Sequence, residues 1–245
     1  MKAVILAGGT GTRLQPLTLV TNKHLLALYD RPVIYYSIEK LVSAGIHKIM
    51  IVTSADHISH FVKLLGSGQN FSRKDGKQVQ IVYGIQNEPS GVAYGLYIAK
   101  DYVGTENCVL FLGDNIIEDD LTPHVASFTG GARVFLKEVP DPKRFGVAIL
   151  DKSGNVVAID EKPNEPKSNF AVTGLYMYDP SVFPKMIDQP KSERGEYEIT
   201  YVNNLFIEDG TLEAVHLKEP WFDIGTIESL HKASVYMQQK SSDHD

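Results

Sequence analysis

Three glycines within four positions follow directly on a short apolar run, in Leu6-Ala7-Gly8-Gly9-Thr10-Gly11-Thr12-Arg13-Leu14. An apolar run without alternation, here residues 3–7, reads as a strand buried on both faces. Glycines at its end permit left-handed dihedrals and close backbone approach, so successive N–H groups can turn inward around a phosphate. Arg13 follows at once, a permanent cation able to fork onto phosphate oxygens. The stretch is not a P-loop. Its Gly-Lys-Ser/Thr ending is missing, and at the Gly76-Lys77 pair Phe71 stands where the first glycine belongs. Nor is it a dinucleotide fingerprint, since Leu14 occupies the last glycine position. Taken alone, these residues fit a ligand-free tight turn as well as a phosphate cradle.

Further along, buried-strand patterns at residues 48–53, 79–83 and 109–112 alternate with helical periodicity at 33–44, 56–65 and 90–102. Such alternation predicts an α/β fold with a Rossmann-like, mostly parallel central sheet and helices on both faces. Ligands of such sheets bind at the carboxyl ends of the strands. The second half differs, with strand-like stretches at 133–139, 147–150, 156–160, 171–178 and 212–216 and helical ones at 180–187 and 198–208. These mixed strands are expected to build a second wall to one cleft within a single domain, 1–245, whose polar end, 238–245, frays.

Net charge is −6 with Lys and Arg scattered, so no basic surface for nucleic acid is expected. The single cysteine, Cys108, excludes an intrachain disulfide and a thiolate zinc site, and it opens an apolar run that reads as core. A reducing cytoplasm is the expected location. The apolar N-terminus passes straight into the glycine turn rather than forming a signal peptide, and no run approaches the roughly 20 apolar residues of a membrane span. His57 and His60 read as an exposed helix face, and no Gly-x-Ser-x-Gly elbow offers acyl chemistry.

Leu112-Gly113-Asp114-Asn115 ends a buried strand with a carboxylate, and a second lies in Trp221-Phe222-Asp223-Ile224-Gly225-Thr226. Either aspartate alone suits a cap or turn. Together with substrate phosphates and water they would make a hard-oxygen octahedron for Mg²⁺. In Ile85-Gln86-Asn87-Glu88-Pro89-Ser90-Gly91, an ordinary loop opening a helix, the Gln86 amide offers a donor and an acceptor that match the imide edge of thymine or uracil. In Asp160-Glu161-Lys162-Pro163 a solvated turn competes with a sugar-reading glutamate and a phosphate-pairing lysine.

The opening Leu6-Ala7-Gly8-Gly9-x-Gly11-Thr12-Arg13-Leu14-x-Pro16-Leu17-Thr18, with Lys23 and Pro32, resembles the signature of the sugar-phosphate nucleotidylyltransferases. The likeness runs to about Ala233 and is strongest to the branch that joins glucose 1-phosphate to dTTP. It implies the nucleotide-diphospho-sugar transferase fold, with residues up to about 130 mainly nucleotide-binding and about 131–233 mainly sugar-binding, returning to the metal at Asp223. By resemblance Leu6, Gly8, Gly9, Gly11, Thr12, Arg13, Gln86, Pro89, Gly91 and Asp114 hold the nucleotide. Asn115, Gly146, Glu161, Lys162, Val172 and Arg194 face the sugar, Asp114 and Asp223 bind Mg²⁺, and Arg13, Lys23 and Lys162 form the catalytic set. The implied substrates are dTTP and glucose 1-phosphate, and the products dTDP-glucose and pyrophosphate, a first step toward dTDP-deoxysugars such as dTDP-rhamnose. A homo-oligomer, dimer or tetramer, is also implied, in a short form without the helical extension of many members. Two departures are visible in the opening, His24 for the usual glutamine and Ala27 for a common proline, while Arg144-Phe145-Gly146-Val147 resembles an Arg-Tyr-Gly-Val segment whose backbone faces the hexose. The same chemistry on UTP or another hexose phosphate is the near alternative. An inactive nucleotide-sugar-binding module is the distant one, and it would be expected to lose Arg13, Asp114, Lys162 or Asp223, all of which are present.

Overall fold

The computed structural model describes residues 1–71 and 76–242. The first half runs β1 (Lys2–Leu6), β2 (Ala27–Leu28), β3 (Arg31–Pro32), α1 (Val33–Ser43), β4 (Lys48–Thr53), α2 (Ile58–Leu65), β5 (Gln80–Ile85), α3 (Val92–Ile98), α4 (Lys100–Val103) and β6 (Cys108–Leu112). The second half continues with β7 (Asn115–Ile117), α5 (Thr122–Ser127), β8 (Ala132–Glu138), β9 (Gly146–Leu150), β10 (Val156–Glu161) and β11 (Phe170–Tyr178). It ends with α6 (Val182–Lys185), α7 (Ile199–Glu208), β12 (Leu212–His216), β13 (Trp221–Asp223) and α8 (Ile227–Ser242).

The main sheet has the order β10-β9-β11-β6-β1-β4-β5, with β8 on β11 and β12 on β8. Its central strands β6, β1, β4 and β5 are parallel, as the strand–helix alternation predicts. From β11 outward the pairing with β6, β8 and β9 turns antiparallel. One apolar layer forms around Ile34, Ile38, Phe61 and Phe111, and another on the opposite side around Leu96, Leu110, Tyr178 and Phe206. Helix α1 contributes Ile34, Ile38 and Leu41, all fully buried, each worth roughly 1.5–3 kcal/mol in burial. Gly45, with φ 95°, follows its end in the left-handed conformation that stops a helix.

Several elements depart from expectation. The helix foreseen over 90–102 starts only at Val92, because Gly91 has φ 99° and cannot be helical. It is then divided at Ala99. The helix foreseen over 180–187 shrinks to α6. Strands β7 and β13 pair with each other, outside the main sheet. The expected fraying from residue 238 is corrected as far as Ser242, since α8 continues to that point. Ala233 and Met237 bury against Leu28, Val33 and Ile224, and Lys240 pairs with Glu118, which together hold the last turns. Residues 243–245 lie outside the described residues. No described helix is long and apolar enough to cross a membrane.

Candidate active site

Strand β1 delivers the glycine turn to the carboxyl edge of the parallel strands. There Ala7 N–H donates to Val52 O at 2.7 Å, while Ala7 O accepts from Asn22 Nδ2 at 2.9 Å and Thr53 Oγ1 at 3.0 Å. Gly11 is left-handed at φ 64°, and Thr18 Oγ1 donates to its carbonyl at 2.7 Å. A Cβ on Gly9 would stand 3.1 Å from Lys23 Cε, so the turn packs directly on the lysine stem. Asn22 caps the short turn that carries Lys23 by accepting from His24 N–H.

Lys23 Nζ reaches across to Asp114 and forms a direct ion pair. Burial alone would raise the Asp114 carboxyl. The Lys23 charge and hydrogen bond, with a further bond from Asn115 Nδ2, instead hold it down to about 2. The second carboxylate arrives through the β7–β13 ladder, which sets Asp223 opposite Asn115, and Ile224 N–H donates to Asp114 O at 2.8 Å. Burial and the nearby Asp114 charge push Asp223 up to about 6, against the opposing pull of Lys23, Arg144 and Arg13. Two neighbouring carboxylates, Asp114 paired with Lys23 and raising Asp223, and Asp223 contacted by Arg144 at 3.3 Å, suit a hard divalent cation. Among the described residues no group of three or more acidic, His or Cys side chains could hold a metal by itself. His24 is buried beside Lys23 and its pKa falls to about 3, first through burial and then through the lysine charge. It is therefore neutral at physiological pH.

On one side of these carboxylates lies a cavity of about 220 Å³, lined among others by Leu6, Gly8, Gly9, Lys23, Gln86, Pro89, Gly91 and Asp114. Gln86 is fixed at the backbone by donating to Thr53 O at 2.8 Å, and its carboxamide oxygen lies between Gly8 and Gly95. On the other side a cavity of about 200 Å³ is lined by Asn115, Gly146, Glu161, Lys162, Val172 and Asp223, and Arg13 belongs here. Gly225 makes room for Arg13, whose Nη2 would lie 2.8 Å from a Cβ at that position. Gly146 stands opposite both Glu161 and Val172 in the sheet register, which is why residues distant in sequence meet.

The sequence-chosen residues thus gather around two adjoining cavities, with exceptions. Gly11 and Thr12 shape the turn without lining either cavity. Arg194 stands behind the wall of the second cavity, bonding Glu198 at 2.7 Å and Glu161 at 3.1 Å. Asn115 is almost fully buried, accepting from Gly174 N–H at 2.9 Å and Trp221 Nε1 at 2.7 Å. Lys162 is a non-glycine residue at φ 44°, a costly left-handed conformation at the mouth of the site. Sequence reasoning missed the Arg144 guanidinium on Asp223, Thr200 Oγ1 donating to Glu161 at 2.5 Å, and Glu196, which lines both cavities. Only the nearness of Arg144 to Gly146 hinted at the first. A larger cavity of about 430 Å³, bounded by Tyr29, Arg31, Lys40 and Met237, contains none of the chosen residues.

Comparison with known proteins yields consistent relatives. The family model described as nucleotidyl transferase matches residues 2–240. The glucose-1-phosphate thymidylyltransferase of Neisseria gonorrhoeae is 41% identical over 244 residues, covering 97% of this chain and 83% of that protein. That of Mycolicibacterium smegmatis is 40% identical over 243 residues, covering 97% and 82%. Among solved structures, a Bacillus anthracis protein assigned to the glucose-1-phosphate thymidylyltransferases, in complex with a sucrose, superposes with TM-score 0.89 at 44% identity, over 96% of this chain and 94% of that one. A UDP-glucose pyrophosphorylase complexed with UDP-glucose shares the fold, with TM-score 0.83 at 23% identity over 98% of both chains. This chain belongs to the nucleotidyl transferase family.

Proposed function

We propose that the protein joins glucose 1-phosphate to dTTP, forming dTDP-glucose and releasing pyrophosphate with Mg²⁺. The observation that carries this reading is the shared position of Asp114 on both cavities, with Lys23 on one side and Arg13, Lys162 and Asp223 on the other. Anionic substrates entering from two sides meet there. The relatives' activity supports the choice of substrates, and nucleotidyl transfer in this family is generally dependent on a divalent metal.

A phosphate oxygen of the sugar phosphate attacks the α-phosphorus of dTTP. The new P–O bond forms as the bond to the β-phosphate bridging oxygen breaks, and pyrophosphate leaves with that electron pair. The nucleophile is already anionic at neutral pH, so the protein has no proton to remove, and its task is positioning and charge neutralisation. Glycine-loop N–H groups and Lys23 hold the triphosphate, and Gln86 pairs with the imide edge of the base. Lys162 holds the sugar phosphate against its repulsion by the triphosphate, Glu161 accepts from sugar hydroxyls, and Arg13 offsets charge on the reacting centre. Asp114 and Asp223 would hold the Mg²⁺, which when bound supplies Lewis-acid stabilisation of the phosphoryl oxygens. The working protein is placed in the cytoplasm as a homo-oligomer, a state that sedimentation would read.

The test is pyrophosphate release with Mg²⁺ and glucose 1-phosphate, comparing dTTP, UTP, CTP, ATP and GTP. Release with dTTP above all others is expected. Preference for UTP would leave the reaction standing and move the nucleotide assignment. Silence across the nucleotides and a panel of hexose phosphates would overturn the proposal.

A further inference from the structure

Asp223 reaches the site on a strand with little of its own to hold it. Strands β7 and β13 are three residues each and pair with one another, outside the main sheet. A two-stranded ladder of that length is marginal by itself. Side chains alternate along a strand, so a slip of one residue would turn the Asp223 carboxylate to the opposite face.

The chain that leads into β13, residues 217–220, is irregular, yet from Leu217 to Glu219 every backbone N–H and C=O is taken. Leu217 N–H donates to Leu136 O at 2.8 Å. All the others go to two side chains. The Asp119 carboxylate accepts Lys218 N–H at 2.9 Å on one oxygen and Glu219 N–H at 3.0 Å on the other. Lys137 Nζ spends its three hydrogens on Leu217 O, Lys218 O and Glu219 O, at 3.3, 3.0 and 2.8 Å. Pro220 O then accepts Glu118 N–H at 3.1 Å. Neither Asp119 nor Lys137 lines either cavity.

The two side chains are anchored on different elements. Asp119 stands just past β7, the strand that begins next to Asp114. Lys137 is on β8 in the main sheet, where it stands opposite Ala171 of β11. Bonds from an ammonium to carbonyls and from amides to a carboxylate are charge-assisted, the stronger kind. They tie the entry to β13 both to the segment of Asp114 and to the main sheet. We propose that Lys137 and Asp119 are positioning residues for the reaction: they fix the register of β13, and so the place of Asp223 beside Asp114. The role rests on the reading of these two aspartates as the metal pair.

Amide hydrogen exchange and calorimetric Mg²⁺ binding, on the nucleotide-free wild type, Asp119→Asn, Lys137→Met and Lys137→Arg, test this without turnover. In Asp119→Asn and Lys137→Met, exchange should quicken at Lys218 and Glu219 and also at Ile224, whose N–H donates to Asp114 O on the far side of the ladder. Mg²⁺ affinity should fall about 10- to 100-fold in both, with Lys137→Arg keeping part of it. The sign is decisive, because the two substitutions change the net charge in opposite directions. Charge acting at a distance would weaken Mg²⁺ binding in Asp119→Asn and strengthen it in Lys137→Met, and that split would overturn the inference. So would faster exchange confined to residues 217–220 with Mg²⁺ affinity unmoved. Should Lys137→Met fail to fold, Asp119→Glu takes its place, keeping the charge while displacing the oxygens. Weakened Mg²⁺ binding there supports positioning, and wild-type affinity overturns it. A wild type that binds no Mg²⁺ would end the metal reading and this role with it, whereas wild-type binding with unaffected variants would end this role alone.

Discussion

The two walls of the cleft are built on different physics. The wall proposed to hold the nucleotide is mostly main chain: a glycine turn at the end of a parallel strand, braced by Asn22, Thr53 and Thr18. Its groups are held before any ligand arrives, so little ordering remains to be done on binding. The wall proposed to hold the sugar is a mesh of charged and polar side chains from β9, β10, β11 and the start of α7, with Glu161 held by Thr200 and Arg194. Its geometry depends on each partner in turn. The first wall therefore rests on its glycines, with Lys23 and Gln86 as its proposed side-chain contacts, while the second distributes its recognition over several side chains that position one another.

The sharpest attempt to break this contrast strikes where the walls join. Asp223→Asn should lower turnover by about 10³-fold with both substrates, with the circular dichroism spectrum unchanged. A loss confined to one substrate's KM would show that the carboxylate serves one wall only. Arg13→Ala should lower kcat by about 10²–10³-fold without unfolding the chain, and near-normal turnover would remove Arg13 from the reacting centre.

Acidity probes the junction more gently. Because Asp223 is pushed up to about 6, a cation must displace its proton below that pH. Apparent Mg²⁺ affinity by titration calorimetry should then fall about tenfold per pH unit below 6, while Asp114, held to about 2, stays ionised throughout. The metal-free protein should show the opposite trend in stability from this group. Its folded-state pKa lies above the ordinary 3.8, so the folded form binds the extra proton. That contribution is complete below about 3.8 and is lost as pH rises through about 6. Urea unfolding of the wild type beside Asp223→Asn separates it from other groups.

On the sugar wall alone, Thr200→Val removes one donor from Glu161. It should raise the KM for glucose 1-phosphate about fivefold and leave that for dTTP unmoved. An equal rise in both would mean that the walls are less separable than described. The smallest effect is expected outside both walls. Lys240→Ala removes a half-exposed lysine from the mostly buried Glu118 carboxylate and should lower unfolding stability by about 1 kcal/mol, with kinetics intact.

The same division explains what could be read from the sequence. The glycine turn and Asp114 are local: each is a short motif at the end of a strand whose apolar pattern announces it, whereas Lys23 sits in a short turn beyond β1 and is found through the family resemblance alone. Arg144 on Asp223, Thr200 on Glu161 and the pairing of β7 with β13 are made only when distant segments meet, and no spacing rule encodes them. Helix α8 escaped notice for another reason. Only Ala233 and Met237 on it are buried, so its apolar periodicity is thin, and its polar end looks like a tail. Lys162 shows a third case, because a left-handed lysine follows from the turn before Pro163 closing onto Phe145 O, not from any preference of lysine.

The ladder that sets Asp223 opposite Asn115 has a meaning in time as well as in space. A ribosome makes the glycine turn before this strand, which follows the segments of the second cavity's wall. A growing chain can thus shape its nucleotide loop early yet lacks the second carboxylate until the opposite wall exists. The order of synthesis acts as an interlock on the proposed reaction centre, which a half-made chain does not yet hold complete.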